Sequence, residues 1–195
     1  MKIVLASGNA GKLREFRKLL PDGVDMVSQA ELGISPGPET GTTFVENALQ
    51  KARHAAGPGL PVLADDSGIC VDHLRGAPGL YSARYAGGQA TDEDNNAKLL
   101  AKLNGVVAEA RTAYFHCTLV FLRYPEDPAP VVCQANWYGR ILEQPVGVGG
   151  FGYDPIFHVP DHNMSSAELA PEVKNRISHR GQAARAWVQA LRLPG

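Results

Sequence analysis

The sequence predicts an α/β fold: a mixed central sheet flanked by helices, arranged as two lobes with a substrate cleft between them. Three patterns carry that expectation. Over residues 1–103, short apolar runs alternate with segments whose apolar residues recur at helical spacing, as in strand–helix–strand units. Over residues 113–142 the period changes to two, with Phe115, Cys117, Leu119 and Phe121 on one face. The final segment returns to helical spacing at Ala184, Trp187, Val188 and Leu191.

Residues 2–6 read as a buried strand, and Leu13, Phe16, Leu19 and Leu20 as the apolar face of a helix that stops at Pro21, Asp22 and Gly23. Residues 24–27 have the makeup of a strand, and residues 33–43, rich in Gly, Pro and Thr, of a long loop. Thr43 and Glu46 stand at capping-box spacing and open a helix with Phe44, Ala48, Ala52 and Ala55 inward, ended by Pro58 and Gly59. Residues 62–64 form a buried strand leading through Asp65, Asp66, Ser67 and Gly68 to Ile69, Cys70 and Val71. A loop over residues 76–88 precedes a helix over residues 91–103. Two strand-rich runs, residues 113–123 and 131–142, are expected to pair antiparallel across a Pro-bracketed turn. A glycine-dense loop over residues 147–155 leads to a short strand at Ile156 and Phe157. Ser165 and Glu168 repeat the capping-box spacing, and the last helix runs from about Arg180.

Composition narrows the function classes. The 195 residues suffice for one domain with a substantial core, and the formal net charge of -1 argues against a general nucleic-acid binder while allowing a local basic pocket. No apolar run approaches membrane-spanning length and no signal-peptide pattern opens the chain, so the expected location is cytoplasmic with no membrane partner. Cys70, Cys117 and Cys133 lack metal-site spacing and sit in apolar segments, as buried thiols of a reducing compartment do. The histidines show no ligand spacing, so any metal is expected on carboxylates, as magnesium or manganese.

Several segments could carry chemistry. Ser7, Gly8, Asn9, Ala10, Gly11 and Lys12 link a strand to a helix, where backbone N–H groups, the helix dipole and a lysine suit an anion; an ordinary βα turn with an exposed lysine fits equally. This is not a Walker A loop, which needs Gly at Ala6 and Ser or Thr at Leu13. Asp65 and Asp66, at the end of an apolar strand, suit a divalent ion; in isolation, Asp-Asp-Ser-Gly reads rather as an Asx-type turn in a hairpin. Glu39 is a loop carboxylate that only a nearby metal would make functional, and Glu46 has a structural task as a capping residue. Residues 147–152 match GxGxxG, but Tyr153, Asp154 and Pro155 prevent the helix a dinucleotide site needs. The segment does place Phe151 and Tyr153 beside flexible backbone, where they either stack on a base or pack into the core. Lys174, Ser178, His179 and Arg180 cluster late, with Ser178 placed to cap a helix whose first turn carries positive charge, the unfavourable end of the dipole.

The order of these motifs is more specific than any one of them. Ser-Gly-Asn-x-x-Lys from Ser7, Thr-Phe-x-Glu-Asn-Ala from Thr43 and Ala-Asp-Asp-Ser-Gly from Ala64 are followed by Gly-Ala-Pro-Gly-x-Tyr-Ser-Ala-Arg-Tyr from Gly76. Gly-Phe-Gly-Tyr-Asp-Pro-x-Phe from Gly150 and Ser-His-Arg-Gly-x-Ala from Ser178 complete the series. Over essentially the whole chain this resembles the inosine triphosphate pyrophosphatase family. The resemblance implies a two-lobed homodimer that hydrolyses deaminated purine nucleoside triphosphates (ITP, dITP, XTP) to monophosphate and pyrophosphate with magnesium. It implies that Ser7, Gly8, Asn9, Ala10, Gly11 and Lys12 hold the triphosphate and that Asp66 is catalytic. It also implies that Asp66 and Glu39 hold the metal and that Ser67 contacts substrate. Phe151, Gly152, Tyr153, Asp154, Lys174, His179 and Arg180 would form the base pocket. On this reading Arg180 donates to the 6-carbonyl that hypoxanthine and xanthine carry where adenine has an amino group. The competing reading is a nucleotide-binding regulatory module without turnover.

Overall fold

A computed structural model describes residues 1–21, 23–57 and 59–191; the expected helix breakers Asp22 and Pro58 lie outside the described residues. The elements in chain order are β1 (Lys2–Ala6), α1 (Ala10–Leu19), β2 (Asp25–Ser28), α2 (Phe44–Ala55), β3 (Val62–Val71) and α3 (Asp92–Lys102). They continue with β4 (Thr112–Leu122), β5 (Val131–Ile141), β6 (Phe157–Val159), β7 (Met164–Ser165), α4 (Pro171–Ile177) and α5 (His179–Ala190). The seven strands form one mixed sheet in the order β2-β1-β3-β4-β5-β6-β7. β1 is parallel to both β2 and β3, while β6 is antiparallel to β5 and β7.

The chain divides into two compact units. The first comprises Met1–Ser67, Cys117–Ala135 and His179–Gly195. β1, β3 and β4 are buried on both faces there, and the period of two sorts their side chains between two apolar clusters. Ile3, Leu5, Leu63, Leu119 and Phe121 lie on one face with Phe16 of α1 and Ala183, Ala184 and Trp187 of α5. Val4, Ala6, Val62, Ala64, Val120 and Leu122 lie on the other with Ala48, Ala52 and Ala55 of α2. Small alanines let α2 approach the sheet closely. The expected capping box is present: Thr43 Oγ1 accepts from Glu46 N while Thr43 N donates to Glu46 Oε2 at 2.9 Å.

The second unit comprises Gly68–His116 and Asn136–Ser178. Its core gathers Ile69, Val71, Leu99, Leu103, Phe115, Trp137, Ile156 and Phe157. Phe157 lies between Phe115 and Trp137, with ring centroids 4.7 and 5.1 Å away in the tilted arrangement aromatic quadrupoles favour. Thr91 and Asp94 form a second capping box at the start of α3.

Three elements differ from the sequence-based expectation. Residues 65–68 are not a turn: β3 runs unbroken from Val62 to Val71. Gly68 makes this workable, because a Cβ there would meet Gly79 O at 2.3 Å, and Ser82 Oγ fills the space and accepts from Ile69 N at 2.9 Å. The loop over residues 76–88 contains a 3-10 turn at Gly79–Arg84. The capping box at Ser165 and Glu168 serves only a 3-10 turn, Ser166–Glu168, since Leu169 leaves it extended and Pro171 opens a separate helix. The three cysteines are free and buried, as expected. Among the described residues no helix is long and apolar enough to cross a membrane.

Candidate functional site

The first unit contains a topological switch point. β1 has β2 on one side and β3 on the other, while α1 and α2, the connections that follow β1 and β2, pack on opposite faces. In open α/β sheets ligands bind at the carboxyl ends of the strands at such a point. The loop Ser7 to Asn9 leaves that end of β1, and Asp65 and Asp66 follow Ala64, the partner of Ala6, along β3. Two segments far apart in sequence therefore reach one edge of one strand pair.

At the start of α1, Asn9 is the N-cap: its Oδ1 accepts from Gly11 N at 2.8 Å and Lys12 N at 3.1 Å, and Ser7 Oγ accepts from Asn9 N at 3.2 Å. The loop thus arrives preformed, with side chains occupying three of its backbone donors. The first turn of α1 carries no acidic residue of its own.

Adjacent residues of a strand point to opposite faces, and β3 uses this to separate its two aspartates. The Asp65 side chain is 0% exposed and accepts from the Lys12 ammonium, from Arg180 Nε at 3.1 Å and from Ser67 Oγ at 2.7 Å. Cys117 Sγ lies 3.4 Å from its Oδ2. Burial alone would raise the pKa of this carboxyl; Lys12 and Arg180 outweigh burial and hold it well below the usual carboxylate range. Arg180, itself 4% exposed in its side chain, also donates through Nη1 to Glu15 and through Nη2 to Ser67 Oγ at 3.4 Å. Two cations, Lys12 and Arg180, are balanced by two carboxylates, Asp65 and Glu15. These acids are the counter-ions a buried cation requires.

Asp66 belongs to a second cluster. Its Oδ1 accepts from Lys51 Nζ at 2.7 Å and its Oδ2 from Asn47 Nδ2 at 3.4 Å. Lys51 Nζ also lies 3.3 Å from Glu39 Oε1. Residues of α2 hold the loop that carries Glu39: Thr40 N donates to Gln50 Oε1 at 3.1 Å and Gly41 N to Asn47 Oδ1 at 2.8 Å. Burial pushes the Asp66 carboxyl up despite Lys51, and the surrounding carboxylates keep the Lys51 ammonium charged despite its burial. Glu39 and Asp66 therefore converge on a single cation position, where the Lys51 ammonium lies. Among the described residues no group of three or more His, Cys, Asp or Glu side chains is placed to cage a metal. Two carboxylates without a cage are the donor set of an ion that keeps waters and takes phosphate oxygens, as magnesium does.

The remaining candidates lie mainly in the second unit. Asp154 is buried; its Oδ2 accepts from Phe151 N at 2.9 Å and Lys174 Nζ at 2.6 Å, and its Oδ1 from Ser166 Oγ at 2.8 Å. Gly150, at φ 76°, turns the chain so tightly that a Cβ would meet Asp154 Oδ2 at 2.0 Å. Gly152 donates its N–H to Asp92 Oδ2 at 2.6 Å and accepts from Asn96 Nδ2 at 3.0 Å. Tyr153 packs into the core with its hydroxyl donating to Ser82 O at 2.7 Å, so its ring is not offered for stacking. Phe151 is half-buried, with Lys174 Nζ 5.0 Å from its ring centroid. The late basic cluster is divided: Lys174 belongs to α4 in the second unit, while His179 and Arg180 open α5 in the first, after the extended Ser178.

Sequence reasoning missed Lys51, Asn47, Glu15 and the anchoring role of Asp65. Asn47 and Lys51 did leave a signal, since residues four apart share a helix face and both reach Asp66.

The Ham1 family model matches residues 3–190. The chain belongs to the Ham1 family. It is 58% identical over 193 residues to the dITP/XTP pyrophosphatase of Escherichia coli O157:H7, covering 98% of each chain. It is 55% identical, at the same coverage, to the dITP/XTP pyrophosphatase of Escherichia coli strain K12. Among solved structures, a HAM1 protein from Coxiella burnetii is similar at a TM-score of 0.91 and 48% identity, over 98% of both chains. A Staphylococcus aureus Ham1 protein is similar at a TM-score of 0.87 and 40% identity, again over 98% of both.

Proposed function

We propose that this Ham1-family chain hydrolyses deaminated purine nucleoside triphosphates, ITP, dITP and XTP, to the monophosphate and pyrophosphate. What carries the reading is one set of residues at the switch point: Lys12 and Arg180 anchored on Asp65, beside Asp66 and Lys51. Support comes also from relatives more than half identical over nearly the full chain that bear the name dITP/XTP pyrophosphatase.

Cleavage between the α- and β-phosphates requires neutralising charge that builds on the leaving pyrophosphate and aligning a water opposite it. Lys12 and the start of α1 would supply fixed positive potential for the phosphates, with Asp65 holding the lysine in place. Asp66 would orient the attacking water through its carboxylate; as a metal ligand it is a weak base, so positioning ranks above proton abstraction. Magnesium, held by Glu39 and Asp66, would supply further charge neutralisation on the phosphate oxygens. For the base, Phe151 provides an aromatic face, and the Lys174 ammonium over it, held by Asp154, would be a donor suited to a 6-carbonyl rather than a 6-amino group. The active species is proposed to be a homodimer acting on the cytoplasmic nucleotide pool.

The test is to incubate the protein with ITP, dITP, XTP, ATP and GTP with magnesium and to measure pyrophosphate and orthophosphate separately. Pyrophosphate from the first three, at rates well above ATP and GTP, is the expected result. Orthophosphate as the product, or binding of ITP without turnover, would overturn the reading, the latter in favour of a regulatory module.

A further inference from the structure

Within the second unit, and separate from every residue assigned above, lies a cavity of about 390 Å³. Its walls are largely apolar, with Ile141, Leu142 and Val146 among them, and it also meets Arg111, Arg140 and His158. Arg140 and His158 are direct register partners in the β5–β6 pair. Partners opposite each other in a sheet present their side chains on the same face, so this register makes the two neighbours.

None of the three basic side chains has a carboxylate partner among the described residues. Arg111 is buried, and its Nε, Nη1 and Nη2 donate to Ile141 O at 2.8 Å, Leu103 O at 2.9 Å and Leu142 O at 2.6 Å. Those are carbonyls, so its charge has no carboxylate partner among the described residues. A buried guanidinium in that state leaves positive potential in the wall. Arg140 forms no ion pair among the described residues. His158 has a buried Nδ1 with no hydrogen-bond partner among them. A histidine ring carries at least one N–H that it can donate to an oxyanion. The one carboxylate in the lining, Glu143, is exposed, where solvent weakens its opposition.

We infer that this cavity binds a small organic anion: an oxyanion head held by Arg140 and His158 beside the uncompensated charge of Arg111, with an apolar body against Ile141, Leu142 and Val146. A bare ion is too small for it. The volume falls in the range of small-molecule pockets, roughly 300–1,000 Å³, whereas one water takes about 30 Å³ of liquid. The head can be a carboxylate or a phosphate, since both accept from the same donors.

The experiment is long-range ¹H–¹⁵N NMR of histidine-labelled full-length protein titrated with benzoate, phenyl phosphate and inorganic phosphate. The His158 ring resonances are expected to move saturably with at least one aromatic anion, about tenfold more tightly than with inorganic phosphate. Response to benzoate alone assigns a carboxylate head, to phenyl phosphate alone a phosphate head, and to both a general oxyanion site. Arg140→Gln should weaken the response about tenfold, and unchanged resonances of the other histidines report that its fold is intact. Three results would overturn the inference: no movement of His158 up to about 10 mM probe, movement equally strong in Arg140→Gln, or movement confined to other histidines. Inorganic phosphate binding as tightly as the aromatic anions would remove the apolar body from it.

Discussion

Asp65→Asn is the most informative single perturbation of the first unit. The side chain is fully enclosed and faces Lys12, Arg180, Ser67 and Cys117. Asparagine keeps the shape and one carbonyl acceptor, but it turns an amide N–H₂ towards donors and leaves Lys12 without its buried counter-charge. Removing one partner of a buried ion pair costs about 3–5 kcal/mol. The pH dependence follows from the direction of the Asp65 shift. Its folded pKa lies well below the unfolded value, so its contribution is complete above about pH 5 and is lost as pH falls through and below about 3.9. Between pH 7 and pH 3 the unfolded carboxyl gains most of a proton while the folded one does not, so the gap between wild type and variant should narrow by about 1.3 kcal/mol. The assay is urea unfolding in EDTA, followed by the fluorescence of Trp187 in a Trp137→Phe background, because Trp187 is buried in the first unit's core. With a urea slope of about 2 kcal/mol/M, the expected shift of the midpoint at pH 7 is about 1.5–2.5 M. A loss below about 1 kcal/mol, or a gap that does not change with pH, would refute the account of Asp65 as a charge-bearing anchor.

Three further outcomes are expected. Lys51→Met, which removes the ammonium lying between Asp66 and Glu39, should lower kcat for ITP by about 10²–10³-fold as measured by pyrophosphate release. Gly150→Ala forces a Cβ onto Asp154 at a positive φ and should destabilise by about 1–3 kcal/mol, seen as a lower Tm. Its KM for ITP should rise through displacement of Phe151, whose N–H donates to Asp154. Cys117 is 0% exposed, and burial followed by Asp65 pushes its thiol well up, so a disulfide reagent should leave it unmodified until the first unit unfolds.

Much of the first unit could be read directly because its elements obey local rules. The strand before Ser7 and the Thr43 capping box depend on neighbours within a few residues, and each appears where the pattern puts it. Residues 65–68 were misread because Asp-Asp-Ser-Gly is turn-prone in isolation, and what keeps it extended is contact with Gly79 and Ser82, a tertiary fact. The same holds for the site. Lys12 and Asp66 were recognisable by type and position, whereas the pairing of Arg180 with Asp65 and Glu15 joins residues 115 and 165 positions apart. No local pattern encodes such a pairing, because a buried guanidinium selects whichever acids the fold brings within reach.

The unbroken run of β3 through its two aspartates also has a consequence for how the protein can be altered. The peptide plane between these neighbouring carboxylates sends each to a different face: burial drives Asp66 up despite Lys51, while at Asp65 the cations Lys12 and Arg180 outweigh burial and drive it down. The arrangement depends on parity. Substitutions along residues 62–64 that keep the chain length leave both carboxylates facing their own partners, but deleting a single residue there would exchange their sides and set each against the other's lysine. Tolerance in this segment should therefore be generous to composition and unforgiving to length, which a scanning library of single deletions and substitutions over β3 can measure directly.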